Sequence, residues 1–248
     1  MVAAEFGSAL ELVDGVEGWL TDAQARRLWD AARRVRAPAK IVEIGSFRGR
    51  SAIVLASAAQ DGVEVVAIDP HAGGDRGPRE IAPEARRGEE DFHAFHANLE
   101  RAGVAGRVRH VRAPSQAALG AVDGAVGMLY VDAAHRYQPA RADLEAWGAR
   151  VMPGGSMLVH DAFNAVGVTL AQMRLLFVSR RWRYVGRTGS LAEYRGEGLT
   201  APRRMANALR QAASLSYCVR SQLIKLALLA RLPSAARLLG HRSGSWPY

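Results

Sequence analysis

The 248-residue sequence predicts an α/β fold, a mostly parallel sheet with helices on both faces. Three observations carry that prediction. Short apolar, β-branched runs recur as "KIVEIG", "VEVVAID", "GMLYVD" and "SMLVHD", with stretches of helical spacing between them. Three of these runs close on an acid, Asp69, Asp132 and Asp161, and open parallel sheets bind ligands at the carboxyl ends of their strands. The first run leads into Gly45 and Gly49, whose freedom lets the chain turn sharply and lets a ligand approach the backbone.

The elements follow in order. Residues 21–35 read as a helix with Thr21 as N-cap and Gln24 completing a capping box; Ala23, Leu28, Trp29, Ala32 and Val35 form its apolar face. "KIVEIG" is a buried strand, and residues 50–59 a buried helix. A second strand spans 63–69, a helix 92–103 carries Phe92, Phe95 and Leu99, and "RVRHV" alternates as a strand. A strand over 127–132 precedes a helix over 139–151 with Pro139 at its first position. "PGG" at 153–155 reads as a turn before a strand over 156–161. A helix near 167–179 and two further strands, "RYVGR" and "SLAEYR", complete the body. Residues 72–91, rich in Gly, Pro and charge, read as a long loop suited to a substrate lid.

Composition narrows the function classes. Hydrophobic residues make up 49% and charged residues 23%, enough for a stable core. The single cysteine, Cys218, excludes an intramolecular disulfide and a cysteine zinc cluster. The N-terminal stretch has no basic-then-apolar signal pattern and no run is long enough to span a bilayer, so a cytoplasmic location is expected. The net charge is +9, but residues 201–248 hold eight Arg and Lys and no acid, which leaves 25 basic and 24 acidic side chains in residues 1–200. A nearly neutral body argues against nucleic acid as substrate, and the tail lacks interleaved aromatics for single strands. The expected organisation is an N-terminal helical cap (1–36), a ligand-binding domain (37–196) and a basic amphipathic helical tail (197–248). In residues 203–232 a helical projection puts Met205, Leu215, Val219, Leu223 and Leu226 on one side and Arg203, Arg210 and Lys225 opposite. Such a helix can lie on an anionic membrane surface, or pack on its own domain or a second subunit.

The turn after the first strand is not a dinucleotide fingerprint, because Phe47 stands where the second glycine of G-x-G-x-x-G belongs. "VEIGSFRGRSA" instead resembles motif I of the class I S-adenosylmethionine-dependent methyltransferases, E/D-x-G-x-x-x-G, and "VVAIDPH" resembles their second motif. "LYVDAAHRYQPARADLEAWGARVMPGGSMLVHDAF" is similar to a subgroup with V-D-x-x-H-x-Y, D-L, P-G-G and H-D in that order. That subgroup includes small-molecule O-methyltransferases, among them metal-dependent sugar methyltransferases. The resemblance covers roughly residues 20–195 and implies a Rossmann-like seven-stranded sheet, extended here by the basic helical tail.

Carried onto this sequence, the resemblance implies S-adenosylmethionine as cofactor. Glu43 and the backbone near Gly45 would meet its methionine part and Asp69 would hold its ribose, with Ser46, Gly49, Ser51, Pro70 and His71 also among the cofactor-binding residues. Ser115 would approach the adenine, and Asp132 would border the cofactor. Asp132 and Asp161 match positions that bind a divalent cation such as Mg2+ in the metal-dependent members, and His135 matches a general base. Ala162 follows Asp161 where catechol-type members carry Asn, and here Asn164 stands three residues on. Elementary chemistry agrees. A sulfonium methyl is already electrophilic, so the protein must align the acceptor and remove a hydroxyl proton, work for a histidine and a carboxylate-held hard cation. A small-molecule acceptor is therefore expected. The competing readings are a cation-independent methyltransferase using His135 alone, and a non-catalytic nucleotide-binding module that docks through its tail. His93 and His96 share a helix face without a third ligand, so zinc is not expected.

Overall fold

The computed structural model describes residues 5–74 and 82–241. Seven strands form one sheet: β1 (Lys40–Ile44), β2 (Val65–Ile68), β3 (Val108–Val111), β4 (Val126–Val131), β5 (Val151–Val159), β6 (Trp182–Thr188) and β7 (Leu191–Gly196). Their order is β3-β2-β1-β4-β5-β7-β6. β1 to β5 run parallel, and β7 pairs antiparallel with both its neighbours. The chain reverses direction across the sheet between β1 and β4, so a crevice opens beyond their carboxyl ends.

The period-two alternation of β1 sorts its side chains between two cores. Ile41 faces a layer formed by α1 (Phe6–Leu12), α2 (Asp22–Ala32), α3 (Arg50–Ala58) and α4 (Ala85–Arg101), where Leu28, Ile53 and Phe95 are fully buried. Val42 and Ile44 face the opposite layer of α5 (Tyr137–Arg150) and α6 (Val166–Leu175), with Leu144 and Trp147. Glu43 falls on the first face among apolar neighbours. The capping box of α2 forms as its sequence requires: Gln24 N–H donates to the Thr21 hydroxyl, and Thr21 N–H donates to the Gln24 side chain at 2.9 Å. Gln24 also donates to Ser190 at 3.1 Å, and Arg27 and Arg34 bracket the buried Glu193, so the N-terminal helices are tied to β7.

Four expectations are corrected. The helix read as starting at 92 begins at Ala85, so the long loop is shorter than 72–91; its middle, residues 75–81, lies outside the described residues. Pro139 occupies the third position of α5, still in the first turn where its missing N–H costs nothing. "PGG" is not a turn between elements but a bulge inside β5: Val126 pairs with Val151 and Met128 with Ser156, while Met152, Pro153 and Gly154 protrude. The basic tail is not one helix but three, α7 (Ala201–Ala213), α8 (Leu215–Leu229) and α9 (Pro233–Leu238), with Ser214 breaking the first from the second. Of its expected apolar face, Leu215 packs against the body instead, while Met205, Val219, Leu223 and Leu226 are exposed.

Candidate active site

A cavity of about 390 Å³ opens at the carboxyl ends of β1, β2, β4 and β5. Among the residues expected at the site, Gly45, Ser46, Ser51, Asp69, Pro70, His71, Ser115, Asp132, His135 and Asp161 line it, whereas Glu43 and Gly49 stand behind its wall.

On the β1–β2 side the turn after β1 is shaped by Asp69. One of its carboxylate oxygens accepts the N–H groups of Ser46 at 3.0 Å and Phe47 at 2.9 Å, and the other accepts the His71 N–H at 2.7 Å. The acid thus organises both loops while lone pairs remain for a ligand's hydroxyls. His71 is buried with Nε2 3.0 Å from the Phe47 carbonyl and packs edge-on against His110 and Phe95. Gly45 has φ +84, and a Cβ there would fall on the Asp132 carbonyl oxygen, so no other residue fits where β1 meets the end of β4. Behind this turn Glu43 is fully buried; neither carboxylate oxygen has a hydrogen bond of good geometry. Burial pushes its pKa up to about 8, tempered by the Ser51 hydroxyl and reinforced by the charges of Asp132 and Asp69.

On the β4–β5 side the carboxylates are matched by histidines. His135 Nε2 lies 2.9 Å from Asp161 Oδ2, and His160 Nδ1 lies 3.1 Å from Asp132 Oδ1, close but off the hydrogen-bonding direction. The Tyr130 hydroxyl donates to the other Asp132 oxygen at 2.8 Å; burial, then Asp132, holds its pKa well above the usual range, which keeps it a donor. Burial opposes charge on both histidines, but the two aspartates outweigh it and raise both pKa values. Burial likewise disfavours the Asp161 carboxylate, but His160 and His135 hold its pKa well below the usual range. Asp132, His135 and Asp161 each offer a ligand atom, all within 4.8 Å of one another. Two carboxylates and one imidazole at that spacing suit a hard or borderline divalent cation that keeps waters in its shell.

Local backbone explains the aim of these groups. Asp161 and Phe163 both take left-handed conformations (φ 51 and 57), a sharp turn that holds the Asp161 carboxylate at the end of β5. Gly167 lets α6 approach the 135–137 loop so closely that a Cβ would meet the His135 carbonyl.

Several residues at the site escape a reading of the sequence. Asp143, in the "D-L" of α5, lines the cavity and accepts from Ser115 at 2.5 Å and Gln116 at 2.7 Å, so the Ser115 hydroxyl is already engaged; burial raises the Asp143 pKa. Trp19 reaches the cavity mouth and packs on Phe47 with ring centroids 5.2 Å apart. It is held there by Arg50, which donates to the carbonyls of Val13 and Val16, each at 2.9 Å, and of Leu20. Asn164 donates to Asp161 Oδ1 at 2.7 Å and in turn accepts from Ser221, Gln222 and Lys225 of the tail. Its spacing from Asp161 was the one available signal.

Comparison with known proteins agrees with this geometry. Residues 42–162 match the family model described as a methyltransferase domain. The matched span runs from β1 to β5 and takes in the cavity residues Asp69, Asp132, His135 and Asp161, a region similar to a methyltransferase domain. Solved structures of similar fold include the O-methyltransferase TomG from Streptomyces achromogenes, involved in tomaymycin synthesis and in complex with SAM. It is 19% identical, with a TM-score of 0.55 over 80% of this chain and 93% of that one. An O-methyltransferase from Bacillus cereus in complex with SAH is 17% identical, with a TM-score of 0.56 over 79% and 93%. The SAH-bound methyltransferase PaMTH1 from Podospora anserina is 15% identical, with a TM-score of 0.58 over 77% and 87%. At these identities the likeness is one of fold.

Proposed function

We infer that the chain transfers a methyl group from S-adenosylmethionine to a hydroxyl of a small molecule, a sugar or a glycosylated or lipid-linked metabolite. The observation that carries this reading is a single cavity lined by the Asp69 loops at one end and by the Asp132–His135–Asp161 cluster at the other. An amine acceptor brings its own lone pair; a hydroxyl needs a base, and the second end of the cavity supplies one.

The residues fit the donor. Glu43 is an orphaned buried carboxyl beside the turn, where a cationic ligand would favour its ionised form, and Asp69 offers acceptors to ribose hydroxyls. Trp19 and Phe47 cover the mouth and exclude water. Asp132 and Asp161 fit a divalent cation, with Tyr130, His160 and Asn164 orienting their carboxylates. Bound there, Mg2+ would supply a Lewis acid that lowers the pKa of the acceptor hydroxyl. With Nε2–H donated to Asp161, His135 keeps Nδ1 to receive the hydroxyl proton. Its raised pKa makes it a stronger base that is free of its own proton only toward higher pH.

The test is titration calorimetry of S-adenosylhomocysteine into the full chain with Mg2+ and with EDTA, followed by a screen of hydroxylated acceptors, with S-adenosylmethionine as donor, for release of S-adenosylhomocysteine. Micromolar binding and chelator-sensitive turnover are expected. Absence of binding would overturn the reading. Turnover that survives EDTA would retain methyl transfer and remove the cation.

A further inference from the structure

The C-terminal helix α7 turns its polar side inward, and α8 buries Ser221 together with Ile224 and Ala227, which pack against α9. On α7, Asn207 and Gln211 are buried: Asn207 accepts the Tyr184 N–H at 2.7 Å and donates to the Trp182 carbonyl at 3.1 Å, and Gln211 accepts the Tyr194 hydroxyl at 3.1 Å. On α8 the buried Ser221 bonds to Asn164. A further set of apolar side chains faces out: Met205 and Leu209 from α7, and Val219, Leu223, Leu226 and Leu229 from α8, are 46–69% exposed. A helix resting on a soluble domain buries the opposite face, and a continuous outward apolar stripe marks an interaction surface.

We propose that the outer face of α7 and α8 is a docking surface for an anionic lipid bilayer. Charge selects this occupant. From residue 201 onward the sequence holds eight basic side chains and no acid; Arg203 and Arg210 on α7, Arg220 on α8, Arg231 between α8 and α9 and Arg237 on α9 are all exposed. A second copy of the chain would set one cationic tail against another. Leucines that enter the acyl boundary, with arginines reaching the headgroups, form the pattern of a helix lying in an anionic interface. Among the described residues no helix is long and apolar enough to cross a membrane, so the contact is peripheral. The inner face of α8 reaches the candidate site: Gln222 donates to the Asn164 carbonyl at 2.6 Å, and Asn164 donates to Asp161 at 2.7 Å. Docking therefore sets the cavity beside the bilayer, a place suited to a lipid-linked acceptor, although the surface stands whatever the acceptor proves to be.

The test is flotation of the full chain with phosphatidylcholine vesicles, with and without phosphatidylglycerol. Binding is expected only with the anionic lipid, and it weakens as salt is raised. Leu223→Asp combined with Leu226→Asp should reduce bound protein at least tenfold while S-adenosylhomocysteine affinity and circular dichroism stay unchanged. Should that pair disturb the tail, Arg231→Gln and Arg237→Gln provide the second readout, each lowering partition about fivefold. Failure to float on anionic vesicles overturns the proposal. So does a concentration-dependent dimer, seen by light scattering, that the leucine substitutions dissociate; that result assigns the face to a second copy.

Discussion

Four carboxylates stand along the carboxyl edge of β1, β2, β4 and β5, and the two halves of that edge treat them differently. Among the described residues Glu43 and Asp69 have no arginine or lysine against them: one is buried without a good partner, and the other accepts backbone N–H groups, with His71 Nδ1 3.4 Å from one of its oxygens. Asp132 and Asp161 are each met by a histidine within 3.1 Å. The first half holds negative capacity that a cationic ligand can complete. The second is already neutralised by groups that gain and lose protons, as a site for moving a proton requires.

The sharpest way to break this contrast is to remove the proposed base. His135→Ala should lower turnover by about 10²–10⁴-fold while S-adenosylhomocysteine affinity, read by calorimetry, stays within a few-fold. An equal loss of affinity would erase the division between the halves. In the metal-free protein the His135 imidazole, held protonated by Asp161 and Asp132, should titrate above the ordinary histidine range, as NMR of its ring protons across pH would reveal.

Glu43 provides the next largest effect. Its folded pKa of about 8 lies above the ordinary 4.5, so the fold favours the protonated carboxyl. Stability from this group is full below pH 4.5 and is lost as pH climbs through about 8, to an extent on the order of 4 kcal/mol. Glu43→Gln should therefore raise the melting temperature of the ligand-free protein at alkaline pH and leave it little changed near pH 5. The same logic predicts that cofactor binding at neutral pH releases a proton from Glu43, measurable as a dependence of the binding heat on buffer ionisation enthalpy. A buffer-independent heat would mean that Glu43 keeps its proton when the site fills.

Asp69→Ala should weaken cofactor binding tenfold or more, from loss of charge-assisted hydrogen bonds of about 1.5–3 kcal/mol. Because the same carboxylate holds the Ser46 and Phe47 amides, Asp69→Asn separates the two roles: it retains an acceptor and should recover part of the affinity. The smallest effect belongs to the tail. Ser221→Ala removes one hydrogen bond to Asn164 and should lower turnover only a few-fold, with cofactor affinity unchanged; no change in turnover would confine that contact to packing.

Much of this was legible in the sequence, and the reasons are local. The capping box at Thr21 and Gln24 is a contact between residues three apart, so its pattern determines its structure. The strand-end acids are legible because a parallel sheet puts successive strand ends on one edge, so that Asp69, Asp132 and Asp161 converge although far apart in the chain. Trp19 was not legible, since its place depends on Arg50 gathering three carbonyls from a segment 30 to 37 residues away. Asp143 looks like an ordinary surface acid of a helix until α5 docks and Ser115 and Gln116 reach it. Which side of the tail meets the body was not legible for a related reason. Its periodicity sorts apolar from polar residues correctly, but which side meets the protein is decided by the acceptors that the body offers, and here Tyr184, Trp182 and Tyr194 take the amides inward.

The missing side chain at Gly45 has a consequence for how such a protein can change. The exit of β1 rests on the Asp132 carbonyl with no room between them, so the seat of the donor and the seat of the acceptor are cut from adjoining main chain. The line along which a methyl group would travel is therefore a property of the sheet, set before any loop is chosen. Trp19, the Asp143 neighbourhood and the far rim can be recast for a new acceptor while the distance to be crossed stays the same.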